Sequence, residues 1–377
     1  MTAQRYPLPP RSAFVLAACV LLVLAFAPAQ YFGRQQDDLL YFIGARALTE
    51  GRYCLLTTPG CPALTMINPG WPALLAPLFV LTQRPGPFQA FSALLLAAAP
   101  VALWAWLRRR AGESTALLAA ALLASCPLLL SQSGVVMSEA PYLLFFLAML
   151  ACVEARRPWA AGAAGAALLL TRTAGLAVMP ALLIPFARAR RFRDAARAAA
   201  APALACVSWA AWSWSRGRTV GKFDLLPATY AGAAWTKPFA VAAANARFYL
   251  SEWGGCFLPP SRAGGALALA LGGALAAAGA WGLARALRRR GDDPAAWSLL
   301  GTATLLLVWG WQYERYMLPL LPLLLWALAA GLGRAAKPAF AVLLALQLGA
   351  QTLPRLGRPS PWARPELART YAWLAAR

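Results

Sequence analysis

The sequence predicts an all-α membrane protein that crosses the bilayer many times. Three observations point there. Of 377 residues, 60% are hydrophobic and 13% charged, about half the charge expected of a soluble protein. Mean hydropathy is +0.56. The apolar residues come in long blocks separated by short arginine clusters. In hydrocarbon only helices and closed barrels satisfy every backbone group, and unbroken blocks of this length are helical. This composition excludes a soluble enzyme, a disordered chain and a disulfide scaffold. There is no histidine, which removes imidazole catalysis, histidine metal ligands and the H-E-x-x-H motif.

The apolar blocks run over 12–29, 87–107, 115–131, 139–153, 159–170, 174–187, 198–214, 264–287, 295–311, 317–332 and 338–353, which gives eleven segments. The first follows Arg5 and Arg11 and ends in Ala27-Pro28-Ala29. It reads as an uncleaved signal anchor, because the whole chain is hydrophobic. The fifth connection, between the blocks 159–170 and 174–187, is unusual. A block of twelve residues reaches only about 18 Å, short of a hydrocarbon core of about 30 Å. The turn Thr171-Arg172-Thr173 should therefore lie inside the protein.

The formal charge of +22 brings nucleic acid to mind. The arginines, 32 against 3 lysines, lie in clusters between apolar blocks and not along one polar face. Nucleic acid is therefore rejected as a partner. The clusters at 108–110, 156–157, 188–197, 288–290 and 334–337 occupy alternate, short connections. The positive-inside rule makes them cytoplasmic, with the N-terminus inside and the C-terminus outside. Residues 1–353 form the membrane domain, and 354–377 a short basic outer tail. The long outer regions are 30–86 and 215–263. In the first, Leu39, Leu40, Phe42, Ile43, Ala47 and Leu48 suggest an interfacial amphipathic helix. Cys54 and Cys61 lie in the same region, in C-L-L-T-T-P-G-C. Two free thiols or, outside the cytoplasm, a disulfide both fit that spacing.

Chemistry-bearing residues are sparse. Asp37 and Asp38 are adjacent and follow the first segment. Mutual repulsion and partial burial can raise one of them toward the range of a general base; a solvated loop start or a helix cap is the plainer reading. Arg172 and Arg315 lie at membrane depth, where a lone arginine costs about 2.5–3.5 kcal/mol on insertion scales. Glu139, Glu314 or the phosphate of a lipid ligand would compensate that charge. A structural ion pair or snorkelling to the interface is the alternative for both arginines. Trp71, Trp235, Trp253, Trp309, Trp311, Tyr313 and Tyr316 could stack on sugars, although an interfacial aromatic belt explains most of them.

These residues meet a family pattern. D-D-L-L-Y-F-I-G-A-R-A-L-T-E-G-R-Y from Asp37 to Tyr53 resembles the first-loop signature of the GT-C glycosyltransferases. N-P-G-W-P-A-L-L-A-P-L-F from Asn68 resembles the proline-rich end of that loop. S-E-A-P-Y-L-L from Ser138, L-L-L-T-R-T-A-G-L around Arg172 and E-R-Y-M-L-P-L-L-P around Arg315 resemble three later pieces, in the same order. The nearest groups are the bacterial relatives of protein O-mannosyltransferases, lipid A aminoarabinose transferases and lipopolysaccharide-core sugar transferases. The second acidic residue here is Asp38, where Glu is common.

The resemblance implies an inverting transfer of a hexosyl or pentosyl group from a polyprenyl-phosphate donor. The acceptor is a hydroxyl on a lipid, glycan or protein at the outer, periplasmic side of the inner membrane. Asp37 would be the base, and Asp38 would orient it. Arg172 and Arg315 would hold the donor phosphate. Tyr41, Glu139, Asn68, Trp71 and Tyr316 would support the site, with Asn68 to Trp71 forming part of its roof. A divalent cation on Asp38 and Glu139 is an open option. A transporter or flippase of a lipid-linked anion, or a non-catalytic partner in envelope glycan assembly, is the rival reading. The enzyme predicts Asp37, Arg172 and Arg315 around one cavity, whereas a transporter predicts a midplane site away from Asp37.

Overall fold

The computed structural model describes residues 9–27, 33, 35, 37–216, 229–230, 236–262 and 264–357. Among them the chain is helical, with one isolated bridge between Cys54 and Ala63. The helices in order are α1 (Pro10–Ala25), α2 (Asp37–Thr49), α3 (Gly70–Leu81), α4 (Pro85–Ala111), α5 (Glu113–Ala124), α6 (Glu139–Glu154), α7 (Pro158–Thr171), α8 (Met179–Arg188), α9 (Phe192–Ser215), α10 (Lys237–Gly255), α11 (Ala266–Arg289), α12 (Pro294–Val308), α13 (Leu321–Leu332) and α14 (Ala336–Gln347). A single turn, Pro127–Leu130, follows α5. Each of the eleven apolar blocks supplies one helix. The helices α2, α3 and α10 arise from the connections between blocks.

Three stretches are long and apolar enough to cross a membrane: Pro85–Ala111, Ala266–Arg289 and Leu321–Arg355. The last is interrupted at Gly333, whose φ of 57° ends α13. Several other apolar helices are shorter, at 10–17 residues. Phe14, Leu21, Val80, Leu204 and Val207 are exposed, as suits a chain whose solvent on that surface is hydrocarbon. Among the described residues the fold is helical and fits an α-helical membrane protein.

Apolar burial cannot drive helix association in lipid, because the tails are as apolar as leucine. Close approach at small residues takes over. The α11–α13 contact illustrates this. A Cβ placed on Gly282 would sit 1.9 Å from the Ala327 carbonyl oxygen, and one on Gly331 would sit 2.2 Å from that of Ala278.

The two ends of the bundle differ in character. At one end, Arg110 from α4 pairs with Glu154 from α6 at 2.6 Å and with Asp293 at 3.1 Å. It also lies over the rings of Trp106 and Trp326. Asp293 is the N-cap of α12, accepting the Ala295 N–H at 2.9 Å, with Pro294 following where no N–H is needed. Glu113, at the start of α5, accepts from Ser12 Oγ at 2.7 Å and from Trp104 Nε1 at 3.0 Å. The opposite end, about 24 Å away along α6, holds the first residue of that helix, Glu139.

The region after α1 folds on its own small core. Tyr41, Ala45, Leu64, Ile67, Trp71, Leu75, Phe88 and Val135 to Met137 are buried together. Tyr53 donates its hydroxyl hydrogen bond to the Ile67 carbonyl at 2.8 Å, and Cys54 and Cys61 are disulfide-bonded. Residues 37–49 are helical, but the seated side chains include Asp38, Tyr41 and Ala45, while Leu39 is exposed. Contacts with α3 and the loop decide that face, more than an amphipathic contact with lipid. The proline-rich end of the loop is helical over Gly70–Leu81 and accommodates Pro77. Ala27 is described; the rest of the cleavage-like tripeptide and the tail beyond residue 357 lie outside the described residues.

Gly282→Ala should force α11 and α13 apart and cost about 1–3 kcal/mol of stability, read as a lower thermal midpoint in detergent. Gly273→Ala, on the same helix with open space around it, should leave the midpoint unchanged. Alkylation of the unfolded, unreduced chain should label five cysteines, and all seven after reduction.

Candidate active site

The short helices α7 and α8 bring the first functional side chain inside the bundle. Arg172 ends α7 in extended backbone, φ −150° and ψ 136°, and a 3-10 segment, Thr173–Val178, leads on to α8. Thr171 is 1% exposed, so the turn is internal, as its short flanking blocks require. Its neighbourhood is held from the loop side. Asn68 Nδ2 donates to the Leu169 carbonyl at 2.7 Å, and Thr173 Oγ1 donates to Asn68 Oδ1 at 3.1 Å. The N-terminus of α3 fits here because Gly70 lacks a Cβ, which would otherwise lie 2.6 Å from the Leu170 carbonyl.

Arg172 meets the first residue of α6. Its Nη1 lies 2.6 Å from Glu139 Oε1 and donates to Ser138 Oγ at 2.9 Å. Ser138 also shares a 2.8 Å hydrogen bond with the Tyr41 hydroxyl. Arg315 enters from the turn Glu314–Met317, between α12 and α13. Its Nη2 contacts Asp37 Oδ2 at 3.3 Å, its Nη1 donates to Gln35 Oε1 at 3.0 Å, and its Nε lies 3.8 Å from Glu139 Oε1. The Tyr316 ring sits 5.7 Å from each guanidinium, and Tyr313 sits 5.1 Å from that of Arg315.

Asp37, Tyr41, Asn68, Glu139, Arg172, Arg315 and Tyr316 line one cavity of about 1050 Å³, its open mouth included. Its other wall is apolar. Ala174, Leu176 and Ala177 line it from the 3-10 segment, and Leu305, Leu306 and Trp309 from the C-terminal end of α12. The two elements pack together at Gly301, where a Cβ would lie 1.8 Å from the Ala177 carbonyl oxygen. The lining thus combines a charged set with an apolar set. The two arginines and two carboxylates of the charged set sum to zero.

Three expectations are corrected. Asp38 does not join Asp37 at the cavity. Its carboxylate accepts from the Gly33 N–H at 3.0 Å and from the Leu39 N–H at 2.9 Å, and it is 2% exposed. Burial raises its pKa, against the pull of those backbone donors. Asp38 and Glu139 do not fit a cation site either. One is committed to backbone and the other to Arg172, and no three metal-ligating side chains converge among the described residues. Trp71 is fully buried, stacks on Phe91 at 5.9 Å and donates to the Val136 carbonyl at 3.4 Å. It supports the floor and offers no face to a sugar. Of the other aromatics, Trp253 is buried, Trp309 and Tyr316 line the cavity, and Trp311 and Tyr313 are exposed beside a shallow groove with Asn245 and Gln312. Trp235 lies outside the described residues.

The sequence reading passed over Ser138, Gln35, Tyr142 and Thr173. Ser138 immediately precedes Glu139 in the S-E-A-P-Y stretch, and that adjacency to a membrane-depth carboxylate was the available signal.

Removing one member of a buried ion pair costs about 3–5 kcal/mol, because the other charge is stranded. Glu139→Ala should therefore destabilise the protein by about that amount, and Arg172→Ala similarly. The double variant Glu139→Ala/Arg172→Ala should lose markedly less than the sum. Thermal unfolding of the four proteins in one detergent measures this.

No family model matches the chain and no curated protein matches it in sequence, so its chemistry is read from these residues.

Proposed function

We propose that the chain is a membrane glycosyltransferase of the GT-C type. It moves a sugar from a polyprenyl-phosphate donor to an acceptor hydroxyl at the outer side of the plasma membrane. One observation carries the reading. Asp37, Arg172 and Arg315, distant in sequence, line a single cavity whose remaining lining is largely apolar. A lipid phosphate has the same mixed character. Its phosphate suits the two guanidinium forks, and the first part of its chain suits the apolar lining of Leu176, Leu305, Leu306 and Trp309.

The orientation follows from charge. Arg108 to Arg110, Arg156, Arg157, Arg188 and the 288–290 cluster all lie at or near helix ends on the Glu154 side of the bundle, which makes that side cytoplasmic. If the remaining blocks cross and the two short ones form either a re-entrant hairpin or two short crossings, which keep the same parity, the cavity faces outward. The Cys54–Cys61 disulfide supports that side for the first loop, since disulfides persist in oxidising compartments.

The chemistry assigned to the cavity is a single displacement. Asp37 takes the proton of the acceptor hydroxyl, and that oxygen attacks the anomeric carbon. The sugar passes through oxocarbenium character, as in glycoside hydrolysis. The bond to the phosphate oxygen breaks, its electron pair stays on phosphate, and the anomeric configuration inverts. Charge grows on the phosphate as the bond breaks, so Arg172 and Arg315 help the transition state more than the ground state. Asn68 and the α2–α3 loop cover the site and limit water. A transporter of a lipid-linked anion would also use buried arginines. It is disfavoured because Glu139 is the first residue of α6, near the end of the bundle and away from a midplane position.

The test offers purified protein a panel of labelled polyprenyl-phosphate sugars with envelope extract as acceptor, and follows free lipid phosphate. Release is expected from one donor, and Asp37→Asn should cut the rate by about 10²–10⁴-fold. Release that survives Asp37→Asn would remove Asp37 as the base. Labelled lipid that binds and is never cleaved would favour the transporter or the non-catalytic partner.

A further inference from the structure

The resting cavity poses a question for any anion that enters it. Both guanidiniums already hold carboxylates: Arg172 pairs with Glu139 at 2.6 Å and Arg315 pairs with Asp37 at 3.3 Å. The two pairs are not equivalent. The Arg172 pair is short, Glu139 is 2% exposed at its side chain, and Ser138 adds a second acceptor at 2.9 Å. The Arg315 pair is longer, and the Asp37 side chain is more open at 17%. Arg315 Nε donates no hydrogen bond, although the side chain is 8% exposed. The carboxylate that this Nε faces is Glu139 at 3.8 Å, and an N–H without a hydrogen bond is costly in a site of low dielectric.

We propose that Arg315 is a shared counter-ion, passed between the carboxylate of Asp37 and the phosphate of the lipid ligand. The inference rests on the glycosyltransferase reading and adds regulation to the same site. In the structure Arg315 holds Asp37 at 3.3 Å. An entering phosphodiester competes for that guanidinium and loosens the Asp37 pair, so the carboxylate becomes available as a base only when the donor is present. During the displacement the acceptor proton reaches Asp37 and cancels its charge. At the same time the C–O electron pair stays on the phosphate and adds one. The charge that Arg315 must face thus moves from Asp37 to the leaving group, and the total charge of the cavity does not change. Proton abstraction and phosphate departure then use one cation in turn.

A base that acts independently of Arg315 would leave anion binding unaffected when it is neutralised. A carboxylate that competes for Arg315 makes the opposite statement. Neutralising Asp37 should tighten phosphate binding while it stops turnover. The probe is decyl phosphate, titrated calorimetrically into purified wild-type and Asp37→Asn protein in a neutral detergent, with decyl glucoside as the uncharged control. Asp37→Asn is expected to bind decyl phosphate about tenfold tighter than wild type and decyl glucoside equally. Asp37→Ala answers the same question should the amide variant fail to fold. Equal or weaker binding of decyl phosphate by the variant overturns the shared counter-ion and leaves the anion site standing, provided Arg172→Ala abolishes binding. If decyl phosphate binds neither wild type nor variant, the phosphate site itself falls, and the shared counter-ion with it.

Discussion

The low dielectric of the bundle interior governs what this chain can do with its few charges. Four of them, Arg172, Glu139, Arg315 and Asp37, meet in one cavity and sum to zero. Each alone would be costly at that depth, and together they are tolerable because every guanidinium faces a carboxylate. The surrounding structure follows from that requirement. Two short helices are broken by an extended residue so that Arg172 can reach inward. The α2–α3 loop is stapled by a disulfide and clamped through Asn68, so that Asp37 and Tyr41 stay over the cavity. The turn after α12 carries Arg315 in from a third direction.

The opposite end of the bundle solves the same problem for a structural purpose. Arg110 draws carboxylates from α6 and from the start of α12, and lies against two tryptophans. The two knots share their physics and differ in their surroundings. Arg110 lies against indole rings, whereas Arg172 and Arg315 line a cavity whose remaining lining is largely apolar.

The helices were legible where composition alone decides them. Eleven apolar blocks became eleven helices, because a long run without charge has no other way to satisfy its backbone in hydrocarbon. The internal position of Arg172 was legible for a related reason: its flanking blocks are too short to cross. Helix α10 was not legible. It mixes Lys237, Asn245, Arg247 and Glu252 with alanines, and nothing in its periodicity separates it from a loop. The site was legible as a set of residue types and only partly as an arrangement. Sequence narrowed the partner of Arg172 to Glu139, Glu314 or a ligand, and geometry selects Glu139. Residue type alone could not tell Asp37 from Asp38, and only the family resemblance singled out Asp37. Backbone N–H groups of Gly33 and Leu39 make that choice by capturing Asp38. Trp71 misled because an outward aromatic and a core aromatic look alike until Phe91 and Val136 are seen against it.

Helix α6 begins with Glu139 in one knot and ends with Glu154 in the other. It therefore works as a keyed spacer whose two teeth must engage at once. Adding or removing one residue would rotate one carboxylate by about 100° relative to the other and shift it by about 1.5 Å. One of the arginines would then lose its partner. The length and phase of α6 are thus set by electrostatics at both of its ends, and its interior can change side chains far more readily than it can change their number.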